Sequence, residues 1–424
     1  MSKREPSPAA NPHRLMAVPM NTFESRQEAT GGVAEDRDAS TASALHREET
    51  KKAATVNPMN KDKIKVDKNK QADIMQAVYA KARTKIADVV LSDGAPGRDL
   101  DLSAAYRRST NLLGDYVTLD WQHRNDIVRI IAVIRQYAED RTRNRPLNIV
   151  MQAEPGSGKS HFVRCLARKL ENYHTSSVDF NMAGLQSIDD LLQPLDAIRN
   201  LKVMDRLPIL FLDEFDSDPR RYSLLLPLMW DGELHIGHRD LKLGKLVIIL
   251  AGSGKNLEEA IKKARGMQKT EMPEDAKIVD LLSRINGGEL EIPPMDLREG
   301  ERDRRVDKVC LTISLIQNRF GQSVEFVAWA LLRFVAMSRF RYGVRSIAHL
   351  IDLVTPADEN QKMIDSSRLT LPLNSVAELK SSSLAYHLIT EDGPSAIIDA
   401  WRYCMECKAL IRVLPEPKEE SEET

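Results

Sequence analysis

The run Leu147-Asn-Ile-Val-Met151 is apolar and short, and Ala153-Glu-Pro-Gly-Ser-Gly-Lys-Ser160 follows it almost at once. Phe162, Leu166 and Leu170 then recur at four-residue spacing. The order reads as a buried strand, a glycine-rich turn and one face of a helix. That is the context a phosphate-binding loop needs. Glycines let backbone N–H groups turn inward on phosphate, and the helix N-terminus adds partial positive charge. Lys159 would reach the β- and γ-phosphates and Ser160 would hold Mg²⁺. Glu154, Pro155, Gly156, Ser157, Gly158 and His161 complete the candidate nucleotide-binding stretch. Ala153 stands where the pattern's first Gly usually sits, a change that adds only a methyl group. The pattern predicts a chain that binds a nucleoside triphosphate.

Around this stretch the chain falls into segments. Residues 1–70 are rich in Pro, Ser, Ala, Asn and charge, and offer too little apolar surface to offset ordering entropy, so a disordered tail is expected. Its end crowds lysines at 61, 63, 65, 68 and 70, which suits a solvated linker or a nucleic-acid contact. Residues 71–114 form a helical extension, with Ile74, Val78, Ala82, Ile86 and Val90 on one face. That face could dock on the rest of the chain or on a partner. A second helix carries Ile127, Ile130, Ile131, Ile134 and Tyr137.

From there to residue 296 strand-like runs alternate with helical ones. Val178 and Phe180 mark a strand, and Ser187 with Asp190 resembles a helix N-cap. Strands are expected at Pro208–Asp213, Leu246–Ala251 and Glu289–Ile292, with helices over Leu224–Trp230 and Asn256–Ala264. Such alternation implies a parallel sheet covered on both faces. Beyond Leu297 strands are expected to cease. Helices are predicted over Arg304–Phe320, Val324–Phe340 and Val344–Val354, so residues 297–355 read as a small all-helical domain. Residues 356–424 are a C-terminal extension with an acidic tail.

The chemistry concentrates at strand ends. Asp213 and Glu214 close the second core strand behind four apolar residues. Beside a phosphate loop, such a carboxylate supports Mg²⁺ through its water shell, and the adjacent Glu polarises a water for in-line attack. The cluster Gly252-Ser-Gly-Lys255 imitates a phosphate loop, but Ile249 sits inside a strand where the required glycine would fall. Cys404 and Cys407 are spaced like half a zinc site, with His387 the nearest further candidate, yet they fall on one face of an expected helix as ordinary core residues would.

With these residues in hand the chain resembles the AAA+ ATPases over about residues 115–355. Ala153 to Ser160 is similar to the Walker A loop and Leu210 to Glu214 to Walker B. Ser253, at the end of LVIILAGS, falls where the family places its sensor 1 residue, with Asn256 a competitor. Leu281-Leu-Ser-Arg284 resembles an arginine-finger segment, and Tyr342-Gly-Val-Arg345 resembles sensor 2. The resemblance implies a P-loop NTPase core followed by a helical lid. It also implies ATP and Mg²⁺ as ligands, hydrolysis at subunit interfaces of a homo-oligomer, in hexameric-ring form, and remodelling of a protein or nucleoprotein partner. The rival class is an ATP-dependent switch or scaffold that recruits an effector. Members that thread polypeptides usually carry an aromatic after the second strand. Here that region reads Asn181-Met-Ala-Gly-Leu185, where only Met182 and Leu185 could supply apolar contacts.

Global electrostatics singles out no partner, since 61 basic and 62 acidic residues nearly cancel over 424 positions. The opening MSKREPSPAANP lacks the apolar stretch of a signal peptide, no apolar run is long enough to span a bilayer, and the four cysteines are too scattered for a disulfide framework. A cytoplasmic, membrane-free protein is expected.

Overall fold

The computed structural model describes residues 58–92, 100–253, 279–297, 302–354, 356, 360, 362–364 and 409–414. Two compact units part between Lys68 and Asn69; of the first, residues 58–68 are described and are helical. The expectation of disorder up to residue 70 is therefore corrected, because helix α1 runs from Pro58 to Val90. The helix Asn256–Ala264, Lys255, Cys404 and Cys407 lie outside the described residues.

Within the second unit α1 is followed by α2 (Ser103–Thr110), α3 (Trp121–Glu139), β1 (Leu147–Ala153), α4 (Lys159–Lys169) and β2 (Thr175–Asn181). Next come α5 (Leu192–Val203), β3 (Leu207–Asp213), α6 (Tyr222–Asp231), β4 (Glu233–Ile236), β5 (Arg239–Lys242), β6 (Val247–Gly252) and β7 (Gly288–Ile292). The chain closes with α7 (Arg305–Phe320), β8 (Phe326–Ala328), α8 (Trp329–Met337), α9 (Val344–Ile351), β9 (Met363–Ile364) and β10 (Leu410–Arg412).

Five strands form one parallel sheet in the order β2-β3-β6-β1-β7. The continuous apolar runs have the reason expected of them, for β6 is buried at every residue and β3 at all but Asp213. One face packs α3 and α4 through Ile127, Ile130, Ile134, Phe162 and Leu166. The other packs α5 and α6 through Leu195, Ile198, Leu225 and Leu228. Asp190 does cap the turn before α5, accepting from the backbone N of Ser187 at 2.8 Å.

The region after the sheet departs from the all-helical expectation. Within the stretch expected to be helical from Val324, residues Phe326–Ala328 are a strand, paired antiparallel with β10 and parallel with β9. The partners arrive from far along the chain, so no local period signals them.

The amphipathic face of α1 docks on its own chain. Tyr79, Ala82, Ile86 and Val90 enter one apolar cluster with Val309, Ile313 and Trp329, while Ile74 stays 57% exposed. Trp329 Nε1 donates to the Val89 carbonyl at 2.7 Å. A buried ionic knot reinforces the joint. Asp307 accepts from the Leu119 backbone N at 2.7 Å and from Arg83 Nη1 at 3.0 Å, with Arg304 beside it at 3.7 Å. Burial pushes the Asp307 carboxyl up, but Arg304 and Arg83 outweigh it and hold the group below the usual carboxylate value.

Candidate nucleotide site

The loop between β1 and α4 is a cradle of backbone. Gly156 (φ +78) and Gly158 (φ +94) sit in the left-handed region, where a Cβ is disfavoured. Ala153 has no such φ and ends β1 as an ordinary strand residue, which is why the missing first glycine costs nothing here. The Phe162 N–H makes the first helical bond, to Gly158 O at 2.9 Å. The N–H groups of residues 159–161 therefore have no acceptor one turn back. The Ser157 hydroxyl is buried and without a partner. Phe162 and Leu166, both fully buried, fix the helix beneath the loop.

Lys159 is nearly buried, and its Nζ lies 3.0 Å from Asp213 Oδ1. Asp213 ends β3, whereas Lys159 opens α4 after the loop from β1, and β6 lies between those two strands. Glu214 follows with φ +54, a conformation a side chain adopts at a cost of roughly 1–2 kcal/mol, and its side chain is exposed. That twist opens a short 3₁₀ turn, Phe215–Ser217, which carries Asp216 back into the protein. Asp216 is 5% exposed, and its Oδ2 accepts from both the backbone N and Oγ of Ser253, each at 3.0 Å. Sequence reasoning missed Asp216, although it belongs to the acidic string Asp213-Glu-Phe-Asp216.

The helical region closes over the loop. Val344 N donates to Gly156 O at 3.0 Å, and a Cβ on Gly156 would meet the Tyr342 carbonyl oxygen at 2.4 Å and Arg345 Cβ at 3.8 Å. Arg345, in the first turn of α9, thus starts beside the loop. A cavity of about 240 Å³ opens between the loop residues Ser157, Gly158 and His161 and the apolar side chains Tyr116, Met295 and Leu315. A mostly apolar slot beside a phosphate cradle suits a flat base. Burial lowers the pKa of His161, outweighing the Asp115 carbonyl, and Arg164 and Arg168 add to this.

Arg284 lies elsewhere. Its carbonyl accepts from Asn148 Nδ2 at 2.8 Å, near the start of β1, whereas the loop leaves the other end. Asn148 and Ala153 are separated by roughly 16 Å of strand. The guanidinium is engaged, with Nη2 3.1 Å from Asp280 Oδ2 and Nη1 2.6 Å from the Leu226 carbonyl. It also lies 5.7 Å from the ring of Trp230, which is 45% exposed. Lys159 and Asp213 thus meet at the loop end of the sheet, where Arg345 starts beside Gly156 and β6 ends before Ser253, whereas Arg284 lies at the opposite end. Met182 and Leu185 are both buried, so neither is available to grip a threaded chain.

The core has the P-loop NTPase fold. The chain matches no protein-family model and no curated protein sequence. Among solved structures it is similar to the S. cerevisiae Hsp104-ADP complex at 16% identity, covering 54% of this chain and 44% of that one, with a TM-score of 0.36. A likeness that loose says nothing about what the chain does. Among the described residues no helix is long and apolar enough to cross a membrane.

The donor set fits Mg²⁺. Among the described residues no group of three or more His, Cys, Asp or Glu forms a cage for a metal ion. Ser160 and Asp213 would offer one hydroxyl and one carboxylate, the sparse set Mg²⁺ takes when substrate phosphates supply the rest.

Proposed function

We propose that this chain is an AAA+ ATPase, hydrolysing ATP at the interfaces of a homo-oligomer to remodel a protein or nucleoprotein partner. The observation that carries the reading is the 3.0 Å contact between Lys159 and Asp213, which joins the phosphate-loop cation to the carboxylate of another strand. In this reading the N–H groups around Gly156 and Gly158 hold the phosphates, and Lys159 turns from Asp213 to the β- and γ-oxygens. Ser160 and Asp213 would hold Mg²⁺, which would supply positive charge beside the phosphates. Glu214 accepts a proton from the attacking water. Arg345, fixed where α9 meets the loop, ties nucleotide to lid. Glu154, Pro155, Ser157 and His161 line the bound phosphates and base.

Arg284 would serve a neighbouring copy, since its own loop lies at the opposite end of the sheet. To reach across an interface it must leave Asp280, so assembly would open that pair. A ring, six-membered by the resemblance, would supply such neighbours. In this reading the segments 71–114, 115–296, 297–355 and 356–424 are the domains, and apolar side chains of the first pack in one cluster with those of the third.

Two variants test the reading. Lys159→Ala should abolish binding of a fluorescent ATP analogue, because the fixed cation is lost. Glu214→Gln should bind it normally and release phosphate at least 100-fold more slowly. Wild-type turnover by Glu214→Gln would remove Glu214 from the chemistry.

A further inference from the structure

We propose that Asp216 is a positioning residue for hydrolysis, acting through Ser253. Its carboxylate claims the Ser253 hydroxyl proton, so that Ser253 meets the attacking water as a hydrogen-bond acceptor and does not donate to the γ-phosphate. The proposal rests on the ATPase reading above.

The geometry leaves Ser253 little choice. A hydroxyl has one proton and two lone pairs. That proton goes to Asp216 Oδ2 at 3.0 Å, and the backbone N–H of the same residue goes to the same oxygen at 3.0 Å. Both donors of Ser253 are spent on one carboxylate, and the lone pairs of Oγ remain. Donation to an anion makes that oxygen a stronger acceptor.

The carboxylate is built into place. Asp216 is 5% exposed, and among the described residues no cation pairs with it. An unpaired buried carboxylate is costly, so the two donors of Ser253 are what make its burial tolerable. Gly252 makes the approach possible, since a Cβ there would lie 2.7 Å from Asp216 Cγ. The turn carrying Asp216 starts at Glu214, whose positive φ turns the chain inward. Ala251, two residues before Ser253, stands in register with Asp213 on β3 and with Met151 on β1. Ser253 therefore emerges between the strands that carry the two halves of the site.

A water held there gives one hydrogen to Glu214 and the other to Ser253 Oγ, leaving a lone pair for phosphorus. As the water oxygen bonds to the γ-phosphorus, the bond to the β,γ-bridging oxygen breaks and ADP departs. One water proton leaves through Glu214 to solvent, and the other stays on the released phosphate. Ser253 and Asp216 keep their protons and charges throughout.

Asp216→Asn, Ser253→Ala and the double variant are assayed for phosphate release. ATP and ADP affinities are measured in a Glu214→Gln background with fluorescent analogues. Each single change should lower kcat roughly 10- to 100-fold, what a hydrogen bond to a charged group is worth. The double variant should be no slower than Ser253→Ala, because Asp216 acts through that hydroxyl. The ratio of ATP to ADP affinity should not move in any of them. A selective tenfold loss of ATP affinity in Ser253→Ala would make Ser253 a phosphate donor and overturn the proposal. So would multiplying losses in the double variant, or unchanged kcat in Asp216→Asn. Wild-type protein that turns over no ATP would overturn the ATPase reading, and this proposal with it.

Discussion

Replacing Gly156 by alanine should separate the phosphate loop from the helical region that covers it. The position has φ +78, so any Cβ there costs about 1–2 kcal/mol. The new methyl would also lie 2.4 Å from the Tyr342 carbonyl oxygen, a backbone atom that cannot rotate away. Relief requires the two backbones to part, which breaks the 3.0 Å bond from Val344 N to Gly156 O. Overpacking of this kind costs about 1–3 kcal/mol and the lost bond about 1 kcal/mol. Gly158→Ala is the matched control, because its φ is +94 but a Cβ there meets nothing within 4 Å. The difference between the two variants should therefore be about 2–4 kcal/mol of stability, and nucleotide affinity should fall further in Gly156→Ala than in Gly158→Ala. Titration of each with a fluorescent ATP analogue, alongside thermal melts, reads this directly. Equal affinities for the two alanine variants would mean that the contact between loop and lid does not act in binding.

Two further outcomes follow from the geometry. Arg284→Ala should bind ATP yet hydrolyse it poorly, and mixing it with Lys159→Ala should restore part of the phosphate release, since each supplies the half-site the other lacks; a dead mixture of co-assembled variants would refute action in trans. His123 is pushed down from 6.5 to about 3, first by burial and then by Arg304. As pH falls below 6.5 the unfolded chain takes up that proton and the folded one does not, so stability drops by up to about 1.4 kcal/mol per pH unit. Urea melts at pH 7 and pH 5 should show wild-type protein losing about 2 kcal/mol more than His123→Gln; parallel losses would refute the assignment.

What could be read from the chain alone was whatever leaves a local mark. The strands β1, β3 and β6 are buried on both faces, so β3 and β6 show as apolar runs and β1 as one interrupted by Asn148 and Gln152, and the helices α3 and α4 show as four-residue spacing. Gly156, Gly158 and Lys159 announce the cradle because backbone turned toward phosphate needs glycine at fixed offsets. Tertiary structure decided the rest. Nothing local distinguishes Phe326–Ala328 from the helix that follows it, because its strand partners lie at residues 363–364 and 410–412. The face of α1 gave no hint of its partner until Trp329 and Asp307 came up against it. Nothing in the sequence singles out Asp216, and only the turn after Glu214 carries it to Ser253. Arg284 sits at the far end of β1 from the loop, a placement set by Asn148, more than a hundred residues earlier in the chain. Contacts of that reach impose no period on the sequence, and only the folded chain brings their partners together.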